Sequence, residues 1–332
     1  MSPKKEYFVI LFVSIVIPFV SYFIFYSYFK NSDTQISEEI VEKVSALVTP
    51  PSTQASLLFV GDIMLDRTIR KDGELYGYKN LFACLENEFK GYDEVIGNLE
   101  GTITNFQSVS RDAAYEAPAS FRFTFDTQAV QSLVDIGLSI VSIGNNHIRD
   151  FGDEGINQTI QNTQEMNLLV FGNPQKNRPS GDRRYVIKEI AGTKIAFIAY
   201  NQFFGTKEQT FEDLQEAISY SDLQIIYTHW GDEYTPARSD IKILARSFVD
   251  AGADLIIGGH PHVIQEIETY KDVSIYYSLG NFIFDQYWEE AVRTGLGVEV
   301  LIANKKIQSL TEKKFESIRH KGTCIKTSEP QG

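Results

Sequence analysis

From residue 57 onward the chain repeats one pattern: a short apolar run, a glycine beside a cluster of polar side chains, then an amphipathic stretch. The runs expected as strands cover residues 57–60, 93–97, 139–143, 168–171, 194–200, 223–228, 255–257 and 273–278. Between them, residues 79–89, 127–136, 154–166, 211–220 and 240–251 carry apolar side chains at helical spacing, as in Ile241, Leu244, Ala245, Phe248 and Val249. This alternation predicts a layered α/β domain with helices on the sheet faces. Residues 273–284 and 296–315 are strand-rich without an intervening helix, so antiparallel strands are expected to close the fold.

The polar clusters carry the chemistry. Gly258-Gly259-His260-Pro261-His262 follows the run Ala253-Asp254-Leu255-Ile256-Ile257, so two imidazoles stand where a strand ends. Open α/β sheets bind ligands at that edge. A His-Pro-His alternation aims two ring nitrogens at neighbouring points, which suits one or two metal ions. The chain has only 5 histidines, and His147 and His229 also follow apolar runs. Other runs end in Gly61-Asp62-Ile63-Met64-Leu65-Asp66-Arg67, Gly97-Asn98-Leu99-Glu100-Gly101, Gly144-Asn145-Asn146-His147, Thr228-His229-Trp230-Gly231-Asp232-Glu233-Tyr234 and Ser278-Leu279-Gly280-Asn281-Phe282-Ile283-Phe284-Asp285-Gln286. Carboxylates, amides and imidazoles converging on one edge are what hard or borderline divalent ions require. Ordinary roles stay open for each residue alone: Asp62 as a helix cap, Glu100 as a loop acid, Asn146 and His147 as a hydrogen-bonded turn, His229 as a core imidazole. Arg67 and Arg149 lie close to these motifs, where they would contact an anionic substrate or form surface ion pairs.

A hydrophobic content of 43% and a charged content of 23% are those of a globular protein. A formal net charge of -13 argues against nucleic acid as a partner. It leaves room for an anionic substrate, because a bound metal ion reverses the local field. Cys84 and Cys324 are far apart and show no metal-binding spacing, so free thiols are expected. Residues 7–29 are apolar and uncharged, and Lys4 and Lys5 precede them. That pattern predicts a single-pass signal anchor over residues 1–30, with a cytoplasmic N-terminus and the remainder outside the cell membrane. A cleaved signal peptide fits less well, since the run ends in bulky Tyr26-Ser27-Tyr28-Phe29. Residues 31–56 read as a polar linker closed by Pro50 and Pro51, residues 57–318 as the globular domain, and residues 319–332 as a polar tail that frays.

Taken in order, the six clusters resemble those of the CapA-type capsule synthesis (poly-gamma-glutamate biosynthesis) proteins, a branch of the calcineurin-like metallophosphoesterase superfamily. The resemblance spans about residues 57–315. It implies a four-layer sandwich of two packed mixed sheets flanked by helices, with a divalent ion (Mn, Zn, Fe or Mg) at one or two sites on the strand ends. It assigns Asp62, Glu100, Asn146, His229, His260 and His262 as metal ligands, and His147 as the group that protonates a leaving group. Met64 stands where typical members of the superfamily have a histidine ligand, and a thioether is a poor ligand for hard ions. The resemblance further implies a membrane-anchored protein acting outside the membrane in polymer synthesis, export or attachment. Its implied partners are other subunits of a polymer synthase or export complex, and an anionic polymer or phosphate-containing substrate. Two other functions stay open: an active extracytoplasmic metal-dependent phosphoesterase, and a non-catalytic polymer-binding protein with the same fold.

Overall fold

The first strand, β1 (Gln54–Ile63), sends successive side chains into two different apolar cores. Leu57 and Phe59 enter one, Leu58 and Val60 the other, so β1 belongs to a sheet covered on both faces. The computed structural model describes residues 54–114, 117–175 and 184–326. The expected anchor at residues 7–29 lies outside the described residues, among which no helix is long and apolar enough to cross a membrane.

In chain order β1 is followed by helix α1 (Arg67–Tyr76), β2 (Glu94–Leu99), β3 (Thr102–Ile103), β4 (Thr124–Phe125), α2 (Thr127–Ile136) and β5 (Leu138–Ser142). Next come α3 (Gly152–Glu165), β6 (Leu169–Phe171), β7 (Tyr185–Ile190), β8 (Thr193–Asn201), α4 (Lys207–Ile218), β9 (Leu223–His229), α5 (Ser239–Asp250) and β10 (Leu255–Gly259). The chain closes through β11 (Ile267–Tyr270), β12 (Val273–Tyr276), β13 (Asn281–Ile283), β14 (Thr294–Ala303), β15 (Lys306–Ile318) and β16 (Gly322–Ile325).

One sheet runs β16-β15-β14-β1-β2-β5-β6, with β13 set parallel beside the end of β1. The other runs β11-β12-β10-β9-β8-β7. Both are mixed: β1, β2, β5 and β6 are parallel in the first, β8, β9, β10 and β12 in the second, with antiparallel strands outside them. Three apolar cores stack through the molecule. The middle one lies between the sheets, with Phe59, Ile140, Phe197, Ile225 and Ile257. A second packs the other face of the first sheet against Val130 and Leu133 of α2 and Ile156 of α3. The third packs the other face of the second sheet against Leu214 of α4 and Ile241, Ala245 and Phe248 of α5. The result is the expected four-layer α/β/β/α order.

Several elements differ from expectation. The stretch 79–89 is not one helix but separate turns, Tyr78–Leu81, Ala83–Leu85 and Glu86–Phe89. The break falls at Phe82 (φ -108°, ψ 5°), and Leu81, Phe82, Leu85 and Phe89 are all buried all the same. Helix α1 was not apparent in the sequence because Ile69 is its one buried large apolar side chain. Cys84 and Cys324 are not free thiols; they form a disulfide. That bond, with the pairing of Phe315–Ile318 against Gly322–Ile325, turns part of the expected tail into β16. A cross-link spanning 240 residues of sequence removes much chain entropy from the unfolded state. Replacing both cysteines by alanine is therefore expected to lower the unfolding free energy by about 2–5 kcal/mol in denaturant titrations. An unchanged midpoint would mean that the strand ladder alone holds β16.

Candidate metal centre

The parallel strands of both sheets end on one edge, and the polar clusters lie there. Asp62 is at the end of β1, Glu100 directly follows β2, and Asn145, Asn146 and His147 follow β5. From the second sheet, His229 ends β9, while His260 and His262 follow β10. Glycine at 259 is required, since a Cβ there would stand 2.6 Å from Asp62 Oδ1.

Amides hold the acids and imidazoles in place. Asn98 Nδ2 donates to Asp62 Oδ1 at 2.8 Å and lies 3.2 Å from His229 Nδ1. The His260 N–H donates to Asp62 Oδ2 at 3.0 Å, so one carboxylate ties the two sheets together. His229 Nε2 lies 2.8 Å from Asn146 Oδ1, and His262 Nδ1 lies 2.9 Å from Asn281 Oδ1. His147 Nδ1 meets Asp150 Oδ2 at 2.9 Å, which directs its Nε2 inward.

Glu100 is the centre of this arrangement. Nε2 of His147, His229 and His262 stand 3.8, 3.9 and 3.9 Å from its Oε1. Both carboxylate oxygens are buried without a hydrogen-bond partner among the described residues, as is His260 Nδ1. Burial, then the neighbouring Asp62 and Glu233 charges, pushes the Glu100 carboxyl well above the usual carboxylate range. Burial, then the surrounding imidazoles, holds His229 well below the usual histidine range. The same causes, burial before the His262 ring, push His260 down to about 4. Imidazoles around a carboxyl group whose lone pairs meet no donor among the described residues are a cation-binding donor set. Two triads, Glu100–His229–His260 and Asp62–Glu100–His262, each bring their ligand atoms within 4.8 Å of one another. Glu100 is common to both, so the residues present fit one or two divalent ions.

Residues 56–286 match the family of bacterial capsule synthesis proteins described as PGA_cap. The chain belongs to that family. It is similar to the PGA biosynthesis protein CapA of Bacillus subtilis, at 31% identity over 70% of this chain and 64% of that protein. It is also similar to the capsule biosynthesis protein CapA of Bacillus anthracis, at 30% identity over 74% of this chain and 64% of that protein. The chain thus matches a little under two thirds of the length of these relatives. A hypothetical protein from Thermus thermophilus shares the fold with a TM-score of 0.53, at 17% identity over 79% of this chain and 99% of that one.

In this family member, Asp62, Glu100, His229, His260 and His262 fall in the two triads, and Asn146 joins them through His229. Met64 is buried in the core beneath α2 and α3, its sulfur 3.0 Å from the Asp66 N–H, so the residue in the histidine place serves packing. Arg67 pairs with Asp285. Arg149 pairs with Asp153 at 2.9 Å and stands 5.6 Å from the Phe204 ring centroid. Sequence reasoning assigned no role to Asn98, Asn145 or Asn281, although each lay inside a quoted cluster. Asn145 Nδ2 donates to Asn98 Oδ1 and to the Leu99 carbonyl, at 3.0 and 2.8 Å. Because the Glu100 carboxyl is pushed up, metal uptake is expected to release up to one proton per chain from that group. Calorimetry in buffers of different ionisation enthalpy reads that release, and Glu100→Gln should remove it. Uptake without proton release would leave Glu100 outside the ligand set.

Proposed function

We propose that the chain is a membrane-anchored, extracytoplasmic protein of capsule polymer production whose working part is a divalent metal centre. The observation that carries the reading is Glu100, buried with both oxygens lacking a hydrogen-bond partner among the described residues, where the two ligand triads meet. Family membership and the name of the Bacillus anthracis relative support the capsule role, and the name of the Bacillus subtilis relative, a PGA biosynthesis protein, supports poly-gamma-glutamate as the polymer. The apolar run at 7–29, with Lys4 and Lys5 before it, supports an anchor with a cytoplasmic N-terminus. The Cys84–Cys324 disulfide supports an oxidising compartment for the domain.

Asp62, Glu100, His229, His260 and His262 would hold the ion, with Asn146 as a neutral oxygen donor. An ion bound there would supply Lewis acidity and positive charge toward an anionic oxygen. His147, oriented by Asp150 and 13% exposed, would hold a proton on Nε2 between the buried carboxylate and solvent. Metal analysis of the full chain purified in detergent is expected to find about one or two divalent ions per chain, and His260→Ala to lose most of them. Polymer production in a deletion strain should be restored by the wild type and not by His260→Ala. Equal and near-zero metal in both proteins would sink the metal reading, and full restoration by His260→Ala would separate the capsule role from it.

The His147–Asp150 pair favours a second reading, that of a phosphoester hydrolase. Were it correct, metal-dependent turnover of a phosphodiester would fall by about 10²- to 10⁴-fold in His147→Ala. Absence of metal-dependent turnover in the wild type would rule this reading out, and turnover unaffected by that change would leave His147 without a catalytic part in it.

A further inference from the structure

Arg67 is joined to the metal centre by geometry that the family's metal ligands do not account for. It is the first residue of α1, with φ 49°, a left-handed backbone that costs a non-glycine residue energy and clusters at functional sites. Its guanidinium carbon stands 5.0 Å from the Phe123 ring centroid and 5.4 Å from that of Phe284. Those rings lie against the two imidazoles at the mouth: Phe123 is 4.3 Å from His147, and Phe284 is 4.7 Å from His262. The guanidinium therefore shares both ring neighbours with imidazoles that face Glu100.

Asp285 holds it there. One Asp285 oxygen pairs with Arg67 Nη2, and the other accepts the Thr68 N–H at 3.2 Å. The Arg67 side chain keeps 13% exposure, and its Nε is buried with no acceptor among the described residues. A buried, charged N–H group without an acceptor is costly. Arg149, by contrast, is 34% exposed and engaged with a solvent-facing aspartate.

We propose that Arg67, positioned by Asp285 between Phe123 and Phe284, binds an oxyanion of the ligand that the metal centre receives. The chemistry recognised is a phosphate or carboxylate oxygen, for which a guanidinium offers several fixed donors. Asp285 is a positioning residue in this arrangement. The inference rests on the metal-centre reading for the ligand's second point of attachment.

The test uses the full chain in detergent, loaded with Mn²⁺, with metal content measured on every sample. Inorganic phosphate and a gamma-linked glutamate oligomer are titrated separately by calorimetry into wild type, Arg67→Gln, Arg67→Lys and Asp285→Asn. Arg67→Gln is expected to keep its metal and to bind whichever probe the wild type binds at least tenfold more weakly. Arg67→Lys should recover part of the loss, and Asp285→Asn should lose less than Arg67→Gln. The probe that binds identifies the source of the oxyanion. Wild-type affinity in Arg67→Gln, binding of neither probe, or loss of metal in Arg67→Gln would each overturn the proposal. A wild type that takes up no metal would count against the metal centre alone, and phosphate titration of wild type and Arg67→Gln without metal would still judge Arg67.

Discussion

A carboxylate buried beyond reach of any donor is the least stable element of a folded chain taken alone. Removing an unpaired ionised carboxylate from water costs several kcal/mol even after relaxation. Glu100 is in that position, and imidazole nitrogens of His147, His229 and His262 stand almost 4 Å away from it. Burial holds two of the surrounding histidines, His229 and His260, below their usual range, so they offer lone pairs rather than protons. Without a cation, burial favours the protonated, uncharged form of Glu100. A cation would satisfy the acid and the imidazoles together, which would make metal binding and local stability one linked quantity.

The same edge is where the two sheets change their means of attachment. Between the sheets, contact is apolar for most of the strand length. At the carboxyl ends hydrogen bonds take over. Tyr227 donates its hydroxyl to the Val60 carbonyl at 2.6 Å, Asn201 Nδ2 donates to the Asn145 carbonyl at 2.9 Å, and Asp62 accepts from the His260 N–H. Each bond joins a residue of one sheet, or its following loop, to the other sheet. The ligand triads draw on both sheets, so this seam fixes the distance between Glu100 and the second-sheet histidines.

Features governed by local pattern were legible in the sequence. Short apolar runs gave the central strands, and histidines at the ends of those runs gave the site edge, because strand direction and side-chain alternation follow from a few consecutive residues. Features governed by distant contact were not. Cys84 and Cys324 lie 240 residues apart, and no spacing rule pairs them. Asn98, Asn145 and Asn281 were visible as polar residues in turns, yet an amide in a turn and an amide orienting a ligand look alike until tertiary contact decides. Met64 stood in a ligand position by motif, while the packing beneath α2 and α3 gave it to the core. Strand β7 was missed although Tyr185-Val186-Ile187 is an apolar run, because Lys188 and Glu189 interrupt it before Ile190.

Backbone strain marks the same region independently of the side-chain chemistry. Arg67, Tyr234, His260 and His262 have φ values of 49°, 60°, 95° and 60°. Such conformations persist only where the surroundings over-determine them. Here they do: the His260 N–H is held by Asp62, the Tyr234 N–H donates to the Pro261 carbonyl at 2.9 Å, and the His262 ring is held by Asn281. Asn281 in turn donates to Gln286, whose Nε2 donates to the Tyr234 hydroxyl, so the strained segments brace one another. Ligand atoms fixed by such a frame lose little conformational freedom when an ion arrives.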